Sequence, residues 1–401
     1  MKKHVVLLFS CLSILLCKSQ EYRFVFQDIY PKDIEVGAER TNAYLPILQG
    51  KKIALCANHS SMVGQTHLLD TLLSLGIDVV KVFTPEHGFR GHNEAGEKVN
   101  NSVDAKTKTP IVSLYGANKK PTPEQLKGIE IVVFDIQDVG ARFYTYISTL
   151  HYIMEAAAEN KVKVLVLDRP NPNGFWVDGP VLDTAYRSFV GMHPVPIAHG
   201  MTVGEFAKMI NGEGWLAKNK RCELAVVAVF GYTHFFRYQL PIHPSPNLSS
   251  MEAIYLYPSL CLFEGTPMSI GRGTDKPFRL LGYPDFPEGT ITFTPKNIPG
   301  IATNPPCLGK QCSGFDLSDM GLIIMKNNNF ININLIIEAY KLFPQKDKFF
   351  TPLFDKLAGT KKLREQIIAG KTAEEIQQSW QKDLDAFKQI RKKYLLYPDF
   401  E

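Results

Sequence analysis

The sequence lacks the signatures of several large function classes, and each gap narrows the reading. No dense basic run appears, and three of the five net positive charges sit on Lys2, Lys3 and Lys18. The remainder is close to neutral, so a phosphate-neutralising surface for nucleic acid is not expected. There is no GxGxxG turn after the first predicted strand and no GxxxxGK[ST] loop, which removes the usual phosphate cradles for dinucleotides and nucleoside triphosphates. GxSxG is absent, arguing against an elbow-type serine hydrolase. Neither CxxC nor HExxH spacing occurs, so structural zinc is not indicated. His87, His92, Glu94 and Glu97 do crowd one stretch, but a solvated loop is its simpler reading. Beyond the N-terminal leader no apolar run is long enough to span a membrane, and no internal repeat or low-complexity linker is present.

What is there begins with an export-type leader. Lys2 and Lys3 precede an apolar run from Val5 to Leu16, too short for a permanent anchor, and Cys17 and Ser19 suit cleavage after Ser19. Residues 1–19 are therefore expected to be a signal peptide and the protein to be periplasmic. A buried N-terminal helix is the plain alternative. Lipoprotein processing at Cys11 or Cys17 ranks second, because Leu15 and Leu16 are bulky where such a signal prefers a small residue. Of seven cysteines, five lie beyond the leader: Cys56, Cys222, Cys261, Cys307 and Cys312. That odd, scattered set is no disulfide framework, although Cys307 and Cys312 are close enough to pair in an oxidising compartment. With 45% hydrophobic and 21% charged residues, the chain can bury a sizeable core.

Between about residues 50 and 230, short β-rich runs alternate with helical patterns. Strands are predicted at 52–57, 78–83, 111–115, 129–136, 162–167 and 222–230, several of them nearly continuous Val, Ile and Leu, as in strands covered on both faces. Helices are predicted at 67–75, 144–160 and 203–211. Thr122 with Gln125, and Thr202 with Glu205, have capping-box spacing, while Gly76 and Gly128 suit helix C-termini. The alternation predicts an α/β fold, a mostly parallel sheet with helices on both faces. Past Pro241 the chain becomes rich in Pro and Gly. A strand pattern follows at 321–325, then helices at 333–342, 363–369 and 373–392, the last amphipathic through Ile376, Trp380, Leu384 and Phe387.

In open parallel sheets, ligands bind outside the carboxyl ends of the strands. Four predicted strand ends deliver polar side chains there. They are Asn58 and His59; Glu86, His87 and Arg90; Asp135, Gln137, Asp138 and Arg142; and Asp168, Arg169, Asn171 and Asn173. Helix capping is a structural alternative for Asp138 and Asp168, and turn formation for Asn171 and Asn173. Glu86 differs: stiff Pro85 before it and permissive Gly88 after it suit a side chain held at a fixed angle. Carboxylates, amides, arginines and aromatics together fit glycosidic cleavage, in which one acid protonates the leaving oxygen and a second carboxylate activates water or attacks the sugar. Tyr144, Tyr146, Phe175 and Trp176 are candidates to lie against a pyranose face, with core packing as the default.

At these same positions the sequence resembles the exo-β-N-acetylmuramidases of the NamZ type, a family long filed as a domain of unknown function. The motifs are TPEHGFRG at 84–91, AGE at 95–97, SLYG at 113–116, KPTPE at 120–124, FDIQDVGARFYTY at 134–146, LDRPNPNG at 167–174 and DGP at 178–180. They continue with HGMT at 199–202, NGEGW at 211–215, PSPNL at 244–248, FEGT at 263–266 and GRGTD at 271–275. The likeness spans nearly the whole chain past the leader. It implies a Rossmann-like catalytic domain over 20–245, and a smaller α+β domain over 246–401 that completes an active-site cleft. It further implies no cofactor, and release of terminal N-acetylmuramic acid (MurNAc) from the non-reducing end of peptidoglycan-derived saccharides. By motif position Glu86 is the favoured catalytic carboxylate; Asp135, Asp138, Glu97 and Glu264 all stay open as the second. His199 and Arg272 join the expected substrate-binding set through their motifs.

MurNAc carries a lactyl carboxylate that N-acetylglucosamine lacks, and a guanidinium fits it with two parallel hydrogen bonds. Arg142, Arg169 or Arg272 is expected to read it. The alternatives are a glycan-binding protein without catalysis, and a metal-dependent hydrolase built on His59 and His87.

Overall fold

The computed structural model describes residues 33–86, 88–89, 101–327 and 330–401. The leader, His87, Arg90 and Glu97 lie outside the described residues.

A first helix, α1 (Thr41–Leu48), leads into β1 (Lys52–Ala57), a two-stranded ribbon of β2 (Met62–Val63) and β3 (Thr66–His67), and α2 (Leu68–Ser74). Next come β4 (Asp78–Thr84), β5 (Ser102–Val103), β6 (Pro110–Ser113), α3 (Pro123–Leu126), β7 (Ile131–Asp135), α4 (Tyr146–Asn160), β8 (Lys163–Leu167), α5 (Val203–Gly212) and β9 (Leu224–Val227). Seven of these strands form one sheet in the order β5-β6-β4-β1-β7-β8-β9, all parallel except the β5 edge. Both faces are covered, which explains the unbroken apolar strands. Ile53, Leu55, Ala57, Ile131, Val133, Leu165 and Leu167 face a core closed by Tyr44 and Leu48 of α1 and Leu68, Leu69 and Leu72 of α2. Their alternating neighbours Ala54, Cys56, Val132, Phe134, Val164 and Val166 face α4 and α5.

Local signals hold where expected. Thr122 and Thr202 each form the full reciprocal capping box, and Gly76 and Gly128 each take φ +76° after a helix. Four predicted strands are longer than the real ones: 129–136 shortens to Ile131–Asp135 and 162–167 to Lys163–Leu167, and two others change more plainly. The 222–230 run pairs in the sheet only as β9, because Cys222 N–H donates to Asn211 Oδ1 (2.8 Å) and Phe230 leaves to bridge with Glu35. The 111–115 run stops at Ser113.

The second part of the chain opens with α6 (Met251–Leu260) and carries a three-stranded antiparallel sheet, β10 (Leu280–Tyr283), β11 (Ile291–Phe293) and β12 (Cys312–Asp316), in the order β10-β12-β11. The expected strand at 321–325 is instead part of α7 (Ser318–Asn327). Asp316 caps that helix, accepting from Ser318 N (3.0 Å) and Oγ (2.6 Å), and Met320 and Ile324, one turn apart, pack on the core. Then come α8 (Asn334–Leu342), α9 (Pro352–Ala358), α10 (Lys362–Ile368) and α11 (Ala373–Lys392). α11 buries Ile376, Trp380, Leu384 and Phe387 and docks on the first half. Trp380 Nε1 donates to Asp178 Oδ1 (3.1 Å), and Arg391 donates to Gly200 O (2.7 and 3.1 Å). One apolar cluster runs from Ala54 to Phe387, so the two halves share a core. Among the described residues no helix is long and apolar enough to cross a membrane.

Candidate active site

After β1 the chain builds outward through β4 to β6, then returns to the other side of β1 for β7, β8 and β9. Connections therefore leave in opposite directions from β1 and β7, and the crevice between their carboxyl ends is the topological switch point. Asn58 follows β1 there and Asp135 ends β7, with Ala57 and Asp135 in register.

Side-chain bonds stitch this crevice together. Asn58 is fully buried; its Oδ1 accepts from Ser60 N (2.9 Å) and Oγ (2.6 Å), and its Nδ2 donates to Tyr146 Oη (3.0 Å). Ser60 Oγ accepts from Gln137 N (3.1 Å), and the Ser61 hydroxyl donates to the Asp135 carbonyl. Gln137 Nε2 reaches the carbonyls of Asp138 and Pro170, each at 2.8 Å. His59, half-buried, holds the carbonyl of His243 at 2.8 Å.

The Glu86 loop joins the same edge. Thr145, at the N-cap of α4, makes no side-chain bond to its own helix; its Oγ1 donates to Glu86 Oε2 at 2.9 Å. Glu86 is half-buried; burial first, and the charge of Glu86 second, raise the pKa of the Tyr146 phenol. Thr145 is not singled out in the sequence because the expected helix starts at 144 and takes it as interior, whereas the helix begins at Tyr146 and makes Thr145 its N-cap.

Several expected ligand-binding side chains are hydrogen-bonded within the fold, although the Nε of Arg142 is buried without a partner. Asp135 is fully buried and receives Arg169 Nε (2.5 Å) on one oxygen and Nη2 (2.9 Å) on the other. Arg169 also donates to Met62 O (3.0 Å). Arg142, 1% exposed, spends Nη1 on the carbonyls of Pro180 and Val195 (2.7 Å each) and Nη2 on Leu357 O (2.8 Å). It staples three backbone segments. Asp168 accepts from Gly204 N (2.7 Å), Thr202 Oγ1 (2.7 Å), Tyr397 Oη (2.5 Å) and its neighbour Arg169 N (3.0 Å). Asn171 binds Asn173 N (2.8 Å) and Met201 O (3.0 Å), and Asn173 Nδ2 binds Val139 O (2.9 Å) and Ile254 O (3.1 Å). Tyr144 and Tyr146 pack edge to face with centroids 4.7 Å apart inside the core, and Tyr144 Oη donates to Pro244 O (2.9 Å). They offer no open face to a pyranose, and Phe175 and Trp176 are buried in the same core.

Asp138 is the exception among the buried acids. Its Oδ2 accepts from Gly140 N (2.6 Å), whereas its Oδ1 is buried with no hydrogen-bond partner among the described residues. Burial pushes this carboxyl up to about 7, the backbone N–H groups of Gly140 and Val139 opposing only in part. His199 lies beside it, its Nδ1 accepting from Met201 N (3.3 Å) and its Nε2 4.0 Å from Asp138 Oδ2. Burial, with Arg391 and Arg142 nearby, holds His199 neutral, its pKa lowered to about 3. The proton of that neutral ring then sits on Nε2, facing Asp138, without a bond of its own. Gly140 between them has φ +75°, and a Cβ there would lie 2.3 Å from Asn171 Oδ1.

On the other side, Tyr257 of α6 links Tyr144 (5.8 Å between centroids) to Phe278 (5.0 Å), and Arg272 lies 4.9 Å over the Phe278 ring. Arg272 Nε (2.8 Å) and Nη2 (2.5 Å) both bind Glu264 Oε1, while Nη1 makes no hydrogen bond among the described residues. The pair is 19% and 28% exposed, unlike the buried arginines 142 and 169. Among the described residues no group of three or more His, Cys, Asp or Glu is placed to hold a metal ion.

Comparison with known proteins adds three findings. Residues 53–252 match the N-terminal and residues 255–397 the C-terminal family of the exo-beta-N-acetylmuramidase NamZ. The chain is 39% identical over 379 residues to the peptidoglycan beta-N-acetylmuramidase NamZ of Bacillus subtilis (strain 168), covering 88% of this chain and 89% of that relative. A solved DUF1343 family protein of Bacteroides fragilis NCTC 9343 superposes with a TM-score of 0.84 at 49% identity, over 92% of this chain and 99% of the other. A second from the same organism gives 0.77 at 29%, over 91% and 99%.

Proposed function

A member of the exo-β-N-acetylmuramidase NamZ family, this chain is a glycosidase, and we propose that it releases MurNAc from the non-reducing end of peptidoglycan fragments by carboxylate acid–base catalysis. The observation that carries the mechanism is the pair of unlike carboxyls at one edge of the sheet, Glu86 half-buried and Asp138 buried with one oxygen unpartnered. Glu86 is reachable and oriented by Thr145. Asp138, with an unpartnered buried oxygen and a pKa raised to about 7, still carries a proton in a substantial fraction of molecules near neutral pH, unlike an ordinary carboxyl. Two acids whose surroundings differ in this way can divide the roles of proton donor and base or nucleophile. Of the other open candidates, Asp135 is bound by Arg169 and Glu264 by Arg272, and Glu97 lies outside the described residues. Asp138 is therefore assigned as the partner of Glu86.

For substrate choice, Arg272 is the arginine that reads the lactyl carboxylate. It alone of the three candidates combines partial exposure with a free Nη1. The domain division at 245/246 and periplasmic location of the mature chain belong to this proposal, and cell fractionation tests the latter. The test of the chemistry is Glu86→Gln assayed on a chromogenic MurNAc glycoside. Turnover should fall by about 10²–10⁴-fold with the circular dichroism spectrum unchanged. Near-normal turnover removes Glu86 from its role.

A further inference from the structure

The loop between β11 and β12 brings two thiols together. Cys307 is half-buried at φ +63°, with Sγ 3.6 Å from the Pro267 carbonyl. Cys312 is fully buried at the start of β12, with Sγ 3.7 Å from the Lys310 carbonyl. The turn sets the two side chains near enough for each to shift the acidity of the other. A turn holds them there: Lys310 N donates to Cys307 O (3.0 Å), and Gly309 N to Pro295 O (2.8 Å). Cys56, Cys222 and Cys261 are buried elsewhere, on β1, ahead of β9 and at the end of α6.

We propose that Cys307 and Cys312 are a redox-active dithiol that closes to an intrachain disulfide, with Cys307 as the attacking and Cys312 as the resolving thiol. Exposure assigns the order, because only Cys307 is open to a bulky oxidant. Acidity agrees: the neighbouring Cys312 side chain and the charge of Lys310 lower the Cys307 pKa, whereas proximity to Cys307 raises that of Cys312. The oxidant is a low-molecular-weight disulfide such as oxidised glutathione. The Cys307 thiolate attacks one of its sulfurs, forming a mixed disulfide and expelling one glutathione thiolate. The Cys312 thiolate then attacks the Cys307 sulfur and expels the second. Two protein thiols thereby lose two protons and two electrons, and one oxidised glutathione becomes two reduced ones.

The site borders the turn that presents Arg272. Lys296 N donates to Gly273 O (2.8 Å), and a Cβ on Gly273 would lie 2.7 Å from Pro305 Cγ, so the 295–312 loop rests on the residue after Arg272. Closing the bond braces that loop and removes the S–H that reaches Pro267. This link rests on the Arg272 reading; the disulfide itself does not.

The experiment equilibrates the purified protein in graded mixtures of reduced and oxidised glutathione, quenches with acid, alkylates free thiols after unfolding and maps peptides by mass spectrometry. Expected is a 307–312 cross-link that forms with rising oxidant and is reversed by dithiothreitol, while Cys56, Cys222 and Cys261 stay alkylatable. Cys312→Ser should trap glutathione on Cys307, and Cys307→Ser should leave Cys312 unmodified. Free thiols at both positions in excess oxidised glutathione overturn the proposal. So does glutathione on Cys312 in the Cys307→Ser variant, or a Cys307 bond to another cysteine. None of these readouts involves sugar turnover, so a failure here is distinct from a failure of the glycosidase reading.

Discussion

Asp138→Asn separates a working acid from a structural one. Asp138 is buried, and its carboxyl is raised from an ordinary 3.8 to about 7. A folded-state pKa above the unfolded one means that the native chain binds an extra proton between those two values. The stability contributed by that proton is complete below about pH 4 and is lost as pH rises towards 7. At about 1.4 kcal/mol per pH unit, the loss across the window is on the order of 4 kcal/mol, an upper figure because the site can relax or admit water. The isosteric amide has nothing to ionise, and its oxygen can keep the 2.6 Å bond from Gly140 N–H. His151, His193 and His199, all held neutral by burial, act with the opposite sign, destabilising the fold as pH falls below about 6.5. The readable quantity is therefore the difference between variant and wild type in urea unfolding, measured at pH 4, 6 and 8. The variant should match wild type at pH 4, exceed it by several kcal/mol at pH 8, and lose turnover at every pH. A stability difference independent of pH refutes the raised carboxyl. Normal turnover refutes its catalytic use. Greater stability with less activity is the signature of an acid kept in an unfavourable place for function.

Further outcomes follow from particular contacts. Arg272→Lys replaces a planar fork by a point charge; discrimination between MurNAc and N-acetylglucosamine glycosides should fall about tenfold or more in relative kcat/KM, and unchanged selectivity removes Arg272 from substrate reading. Gly140→Ala must place a methyl 2.3 Å from Asn171 Oδ1 at φ +75°. It should lower stability by roughly 1–3 kcal/mol and shift the Asp138 loop, with a lowered thermal midpoint and reduced turnover as the checks.

Where sequence and structure agree, the cause is local. The strand at 52–57, the capping boxes at Thr122 and Thr202 and the glycines at 76 and 128 depend on neighbours within a few residues, and all appear as expected. The β-branched run VVKVF at 79–83 forms the expected strand, largely covered on both sides. The pattern at 321–325 misled because a short apolar run fits either period; a core contact along Met320 and Ile324 and a cap from Asp316 decided for helix.

The candidate site was legible as an address rather than as a set of roles. By itself the sequence determined the family, through linked motifs along the chain, and the edge where Glu86, Asn58, Asp138 and Asp168 gather, because strand direction places every carboxyl-end loop on one side of a parallel sheet. Which of those polar groups stay free was decided only by tertiary structure. Asp135, Asp168, Arg142 and Arg169 look like active-site residues in one dimension, yet each finds partners from segments distant in the chain, as Tyr397 does for Asp168 and Leu357 for Arg142. Hydrogen-bonding capacity is finite, and partners supplied by the fold compete with a ligand for the same groups. That accounting is non-local, so the free oxygen of Asp138 and the free Nη1 of Arg272 emerge only when the whole chain is packed.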